Sequence, residues 1–264
     1  LIIVLFLSLK QNKMTNIHPR DALIEFDAGP HKYTCMGEAN YMSVTTWNHT
    51  HFKPFDADVI LAKMNLTKPT CKYYGQTPEQ IKAGWDKTRD EAAQLGTEMH
   101  AAIEEYWLAW TPSHDTIPNM GCPPNFMTFV ADHPQLIPYR MEWMIFDEDV
   151  RLAGSIDFVT ENPDGTLTIY DWKRCKEIKK SNNFGEFART DCIAHLPDTN
   201  YWHYALQLNT YKTILERKYK KVIKAMFLVG LHPQLPSYQL FTVPNLTQEM
   251  TELFALRKAE LLSL

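Results

Sequence analysis

The sequence predicts an α/β fold in which helices flank a mixed central sheet, preceded by an N-terminal helical region. Three observations predict it. Residues 151–160 and 166–173 are rich in β-branched and aromatic types around Asn162-Pro163-Asp164-Gly165, the pattern of a β-hairpin. Leu246, Met250, Leu253 and Leu256 recur by threes and fours, as one face of a helix requires. Ahead of and between these, the segments run helix, three strands, helix, strand. The 264 residues suffice for one large α/β domain or a core with a helical insertion.

The elements follow in order. Leu1 to Leu9 is apolar but far shorter than the roughly 20 residues of a spanning helix. It lacks a basic leader and a cleavage site, so residues 1–13 are read as an upstream extension, with Met14 as the start. Residues 22–36 form a small hairpin around Gly29-Pro30. Asp56 caps a short helix to about Met64. Thr77-Pro78-Glu79-Gln80 starts another, with proline at the first helical position and glutamine in capping-box spacing. That helix runs toward Gly96, where a second helix begins with Thr97 as N-cap and carries His100 and Glu104. The chain thus divides into residues 14–95 and 96–264. Pro112, Pro118, Pro123 and Pro124 make 111–125 a loop. A helix over Phe126–Ala131, a strand over Tyr139–Phe146 and the hairpin follow. Residues 175–198 form a long polar connection, expected to be mobile. A helix opened by Asp198 and Thr199 carries Gln207 and Tyr211. Strands near Val222–Leu231 and Tyr238–Val243 precede the closing helix. Among aromatics of the helical region, Tyr73, Tyr74, Trp85, Tyr106, Trp107 and Trp110 are expected in the core.

Chemistry concentrates in the hairpin. Alternation puts Asp171 and Lys173 on one face with Leu167 and Ile169, and Tyr170 and Trp172 on the other. A loop of about five residues pairs odd with odd positions, setting Asp157 on the face of Asp171, opposite or one step diagonal. Two acids and a lysine on one face are costly to bury unless compensated, and a divalent cation between the carboxylates would do so. A surface hairpin with a solvated salt bridge is the plain alternative, but flanking Ile156, Phe158, Ile169 and Trp172 suggest a sheet covered on both sides. His100 and Glu104 stack on one helical face and can complete a metal site, the imidazole shifting preference toward manganese. Gln207 and Tyr211 likewise share a face. They can hold the lysine or a phosphate, or simply border a half-buried helix.

The spacing of Gly96-x-x-x-His100, Gly154-x-x-Asp157, Asp171-x-Lys173 and Gln207-x-x-x-Tyr211 resembles the motifs of the PD-(D/E)xK nucleases, in the branch holding the RecB nuclease domain. Gly96-Thr97-x-x-His100-x-x-Ile103-Glu104, Ala153-Gly154-Ser155-Ile156-Asp157 and Asp171-Trp172-Lys173 look most like the mitochondrial genome maintenance exonuclease and related viral and phage exonucleases. The resemblance covers about residues 79–230; His31-Lys32-Tyr33 and Ser43-Val44-Thr45-Thr46 are similar to the lead-in of phage-type members. It implies a restriction-endonuclease-like core and hydrolysis of DNA, by an exonuclease acting on single-stranded ends in replication, repair or recombination. Asp157, Asp171, the backbone carbonyl of Trp172 and His100 would hold Mg²⁺ or Mn²⁺. Lys173 would position water or stabilise developing charge, and Gln207 and Tyr211 would orient Lys173 or the DNA. Glu104, and more weakly Glu142, are candidates for a second metal through water. Several relatives carry an iron–sulfur cluster needing cysteines near the C-terminus; nothing after Cys192 supplies them, so none is expected. A catalytically idle DNA-binding or assembly module on the same fold is the chief rival, and an unrelated metal hydrolase or structural hairpin protein the other.

Composition fits a soluble intracellular enzyme with no membrane segment, and the resemblance implies DNA as its partner. Five cysteines, an odd number without C-x-x-C spacing, favour reduced thiols. The net charge of −4 looks unpromising for DNA, but local distribution decides. Arg174, Lys176, Lys179 and Lys180 follow the Asp171–Lys173 strand and are expected to touch DNA. Lys212, Arg217, Lys218, Lys220, Lys221 and Lys224 form a second run that suits either DNA or a solvated face.

Overall fold

The computed structural model describes residues 16–110 and 117–263. The expected extension over 1–13 and part of the proline-rich loop lie outside them. Strands β1 (Ile24–Asp27) and β2 (Lys32–Cys35) form the expected hairpin. The main sheet holds β3 (Met42–Ser43), β4 (Pro138–Asp147), β5 (Leu152–Glu161), β6 (Leu167–Lys173), β7 (Ile223–Gly230) and β8 (Gln239–Thr242). Its order is β3-β5-β6-β7-β8, with β4 also on β5. The β3–β5 and β6–β7 pairs are parallel, the others antiparallel. The sheet is therefore mixed, as expected.

Helices are α1 (Val44–Thr50), α2 (Ala57–Ala62), α3 (Pro78–Ala109), α4 (Pro124–Asp132), α5 (Asn200–Lys218) and α6 (Thr247–Leu262). On one face of the sheet, Val44 and Trp47 of α1, Leu208 and Ile214 of α5, and Leu253 of α6 bury Ile156, Leu167 and Ile169. On the other, Met99, Ile103 and Trp107 of α3 and Phe126 and Phe129 of α4 bury Phe158, Tyr170 and Trp172. Burial at about 25 cal/mol per Å² of apolar surface makes these two layers the main source of stability. This is the restriction-endonuclease-like arrangement, a mixed sheet between helical layers.

Several expectations change. The break at Gly96 does not occur: α3 is one helix from Pro78 to Ala109, opened by the expected Thr77–Gln80 capping box. Glycine costs a helix only about 1 kcal/mol, and good helix formers surround it. The Thr97 hydroxyl bonds the Ala93 carbonyl inside the helix instead of capping a new one. The division at residue 96 therefore falls within a helix. The unexpected α1 is capped by Ser43 and rich in β-branched residues, so burial of Val44 and Trp47 outweighs its poor propensity. Leu246, just before α6, and Met250 and Leu253 within it are buried, but Leu256 is exposed and Phe254 and Arg257 take its place.

The 175–198 connection is packed, with Ile178, Ala188, Ile193 and Leu196 buried. Among the aromatics, Tyr106 and Trp107 are core, Tyr73, Trp85 and Trp110 are half-buried and Tyr74 is exposed. No helix among the described residues is long and apolar enough to cross a membrane.

Candidate active site

The hairpin register is the odd-to-odd one: Val159 faces Ile169 and Phe158 faces Tyr170, where the ladder ends. Continuing it sets Asp157 opposite Asp171. Beyond the ladder the strands part, and the Trp172 N–H donates to Asp157 Oδ2 at 2.8 Å. Asp157 thus closes the fork between the two strands.

The neighbouring β4–β5 pair is irregular at the same place. Met141 faces Phe158, both on the α3–α4 side, whereas Trp143 and Ile156, also facing, lie in the α5 core. Positions two apart on a regular strand share a face, so alternation breaks at Glu142 and Asp157. Glu142 has φ 41°, a left-handed value uncommon outside glycine. The break turns both acids toward His100 on α3. His100 Nδ1 lies 3.7 Å from Glu142 Oε1 and 3.6 Å from Asp157 Oδ1. Ser155 Oγ donates to Glu142 Oε2 at 3.0 Å, steadying that acid.

On the α5 side, Lys173 Nζ is 2.7 Å from Asp171 Oδ2 and donates to Gln207 Oε1 at 3.2 Å. Its ammonium also stands 4.6 Å from the centre of the Tyr204 ring. Gln207 Nε2 donates to the Tyr211 hydroxyl at 3.0 Å. Tyr211 lies against Gly154, where a Cβ would stand 2.7 Å from Tyr211 Cε1. The glycine of Gly154-x-x-Asp157 is thus required by the tyrosine of Gln207-x-x-x-Tyr211. Gly96 has open space around its Cβ position, so no such contact explains it.

Charge is concentrated and poorly solvated here. Burial raises the Asp157 pKa, with His100 opposing and Glu142 reinforcing. Burial also lifts Asp171 to about 6 against the pull of Lys173. Lys173 is raised: burial opposes its charge, but Asp171 and Asp157 outweigh that. Burial likewise lowers His100, yet the Asp157 and Glu142 carboxylates carry it up to about 9. Both Asp171 oxygens are buried, and the Lys173 ammonium at 2.7 Å is the charge that faces them. Such a carboxylate suits a cation. His100, Glu142 and Asp157 each offer a ligand atom within 4.8 Å of the others, a fitting donor set for a divalent metal.

The expected residues draw together with three changes of place. Asp171, expected to share one ion with Asp157, pairs with Lys173 and stands outside the His100–Glu142–Asp157 grouping. The Trp172 carbonyl lies 3.0 Å from His100 Nε2, so it engages the imidazole, and Nδ1 faces the acids. Glu142, the weaker candidate, stands in the cluster, whereas Glu104, half-buried a turn beyond His100, does not. Sequence reasoning misses Tyr204 as a site residue, although its place three residues before Gln207 puts both on one helical face.

The basic runs separate. Lys212 pairs with Glu216, Arg217 with Asp147 and Asp149, Lys218 with all three acids of 147–149, and Lys224 with Asp164. Much of the second run is thereby neutralised. In the first, Lys179 pairs with Glu177 and Lys180 lies over Tyr201, while Arg174 and Lys176 have no acid partner among the described residues.

A largely buried D…D-x-K cluster thus stands on the hairpin, flanked by a histidine helix and a Q-x-x-x-Y helix. The chain belongs to the PD-(D/E)XK nuclease superfamily, whose family model matches residues 125–260, just over half of it. That span includes Asp157, Asp171, Lys173, Gln207 and Tyr211 but not His100. Among solved structures the chain is similar to a candidate exonuclease from Eubacterium rectale, at 15% identity and TM-score 0.39, over 84% of this chain and 78% of that one. It is also similar to SSO0001, at 12% identity and TM-score 0.36, over 84% and 76%. No curated protein matches it.

Proposed function

We propose that this chain is a metal-dependent deoxyribonuclease that digests single-stranded DNA exonucleolytically from a free end. The carrying observation is the grouping of His100, Glu142 and Asp157 within 4.8 Å, beside the Asp171–Lys173 pair. His100 Nδ1, Glu142, Asp157 and Asp171 would hold Mg²⁺ or Mn²⁺. Such an ion lowers the pKa of bound water and neutralises charge on the phosphate.

The remaining roles fall to the chain's own groups. Lys173, kept charged by the two aspartates and aimed by Gln207, holds a non-bridging phosphate oxygen or the attacking water. Tyr211 fixes Gln207. Trp172 aligns the site through both backbone groups, its N–H on Asp157 and its carbonyl on His100. Arg174 and Lys176 would take flanking phosphates. The narrower likeness to the mitochondrial and viral exonucleases rests on the motifs alone.

Support for a single strand threaded past the site comes from α3. Asp86 to Leu95 are all exposed, so the middle of this helix stands free on every side. Both ends are anchored. Met99 and Ile103 seat one end on the sheet. At the other, Lys82 pairs with Asp58, Trp85 donates to the Tyr73 hydroxyl, and Phe55 packs on Trp85. Lys53 pairs with Glu186 at 2.9 Å, and Asn182 ties that loop to Asp198, just before α5. The contacts thus run in a circuit from His100 back to Gln207, and a roof of this kind admits a single strand more readily than a duplex.

Digestion of end-labelled linear and covalently closed circular single-stranded DNA with Mn²⁺, against an EDTA control, tests the reading. Linear strands should shorten from an end while circles survive. Rapid cutting of circles would leave an endonuclease with an open groove; no cutting of any DNA would leave an idle module.

A further inference from the structure

The segment between β6 and α5 presents phenylalanines to solvent in a way its local structure enforces. Phe184 is 87% exposed, Phe187 48% and Phe55 72%. A single exposed apolar residue is ordinary, but this loop is built to hold one. Asn182 uses its whole amide: Nδ2 donates to the carbonyls of Glu186 and Asp198, and Oδ1 accepts from the N–H groups of Phe184 and Glu186. Gly185, at φ 65°, turns the chain, and the Asp198 N–H bonds the Glu186 carbonyl. Phe184 therefore projects from a fixed turn. Lys53–Glu186 brings Phe55 to the same surface, where it meets the edge of Trp85.

We infer that Phe184, Phe187 and Phe55 form a stacking track for the bases of a single nucleic-acid strand entering or leaving the site. The inference rests on the nuclease reading, which it extends. Position favours this occupant. The loop continues directly from the Lys173 strand and is fastened to the start of α5 through Lys179 N–H to Asn200 and Asn182 to Asp198. Gln207 lies roughly 13 Å further along that helix, at 1.5 Å per residue from Asp198. Charge favours it too. Three of the acids here are engaged, Glu177 by Lys179, Glu186 by Lys53 and Asp198 by His203, while Asp191 is exposed. Lys180, over the Tyr201 ring, and Arg189, whose charge acts on Glu186, form no ion pair among the described residues and add positive charge beside the track. Aromatic faces with interspersed cations bind single strands with little sequence preference, because every base offers a π-face.

The test measures affinity of the full chain for a short oligothymidylate, an abasic strand of equal length and a hairpin duplex, in EDTA so that nothing is cut. The intact chain should prefer the base-bearing strand. Phe184→Ala and Phe55→Ala should each weaken it by roughly 5- to 150-fold, the range for loss of one stacked base. Affinity for the abasic strand should hold, and Phe184→Trp should restore the preference. Equal affinity of the intact chain for both strands, or alanine variants that leave the preference unchanged, would overturn the track. So would dissociation of a dimer by Phe184→Ala in sedimentation, which would make this surface an interface between copies. Hydrolysis of a small nitrophenyl phosphodiester with Mn²⁺ should be unchanged in Phe184→Ala. Failure of the intact chain on that diester and on DNA would sink the nuclease reading, while the binding results would still decide the track.

Discussion

Gly154→Ala probes the join between two motifs far apart in the chain. The added methyl would stand 2.7 Å from Cε1, 3.1 Å from the hydroxyl and 3.3 Å from Cζ of Tyr211. That ring is buried and its hydroxyl accepts from Gln207, so it has little room to retreat. Overpacking of this kind costs about 1–3 kcal/mol. Restricting the unfolded chain returns about 0.4–1 kcal/mol. A net loss of about 1–2 kcal/mol is expected, which lowers the Tm of a domain this size by about 2–8 °C. Because Tyr211 holds Gln207 and Gln207 holds Lys173, cleavage should fall roughly tenfold to a hundredfold. Urea unfolding and a single-turnover cleavage assay read both effects. The decisive arm is Tyr211→Leu, which removes the ring: in that background Gly154→Ala should be neutral or slightly stabilising. A wild-type-like single variant, or a loss that persists without the ring, would refute the reasoning.

Asp171→Asn and Lys173→Ala should each abolish cleavage while DNA binding, read by gel shift, survives; wild-type rates in both would place the site elsewhere. His100 holds a proton up to about 9 without metal and can ligate only when neutral. Its raised pKa makes the proton a competitor throughout the range below 9, so Mn²⁺ affinity measured by calorimetry should rise by up to about tenfold per pH unit between roughly pH 6 and 9. A flat profile would remove His100 from the ligands. His100→Ala should cost more activity with Mg²⁺ than with Mn²⁺, and equal losses would mark it as a packing residue. Lys218→Ala, which leaves buried Asp147 less compensated, should lower stability and leave the salt dependence of DNA binding intact. Arg174→Ala with Lys176→Ala should do the reverse, flattening the slope of log affinity against log salt by about 0.7 for each phosphate no longer neutralised.

The hairpin is readable because a period of two and a strong turn settle which residues share a face. Pattern alone sets Asp157 opposite Asp171 or one step diagonal, but the ladder stops at Phe158–Tyr170 and Asp157 turns toward His100 while Asp171 stays with Lys173. Glu142 is harder to read, because its position depends on a left-handed residue inside a strand, and no residue type announces that. The sequence also stacks Glu104 with His100 by helical period, but period says nothing of what lies opposite a helix, and the cluster takes Glu142 instead. Gly96 suggests a helix boundary by local preference, and packing at Met99 and Ile103 carries the helix through it. The organised 175–198 connection is hidden because its order depends on Asn182, a polar residue equally at home in a loose loop.

The free-standing middle of α3 is permissive toward composition and strict toward length. Any soluble helix-forming residue serves between Asp86 and Leu95, since all of these are exposed. Yet the residues before and after sit on one rod, and each residue inserted or removed turns one end against the other by about 100° and shifts it by about 1.5 Å. A single deletion at Ala92 would swing His100 out from between Glu142 and Asp157, or else wrench Trp85 off Phe55. Removing seven residues would nearly restore the phase but draw the anchors together by roughly 10 Å. Related chains should therefore differ freely in the letters of this stretch and hardly at all in its count.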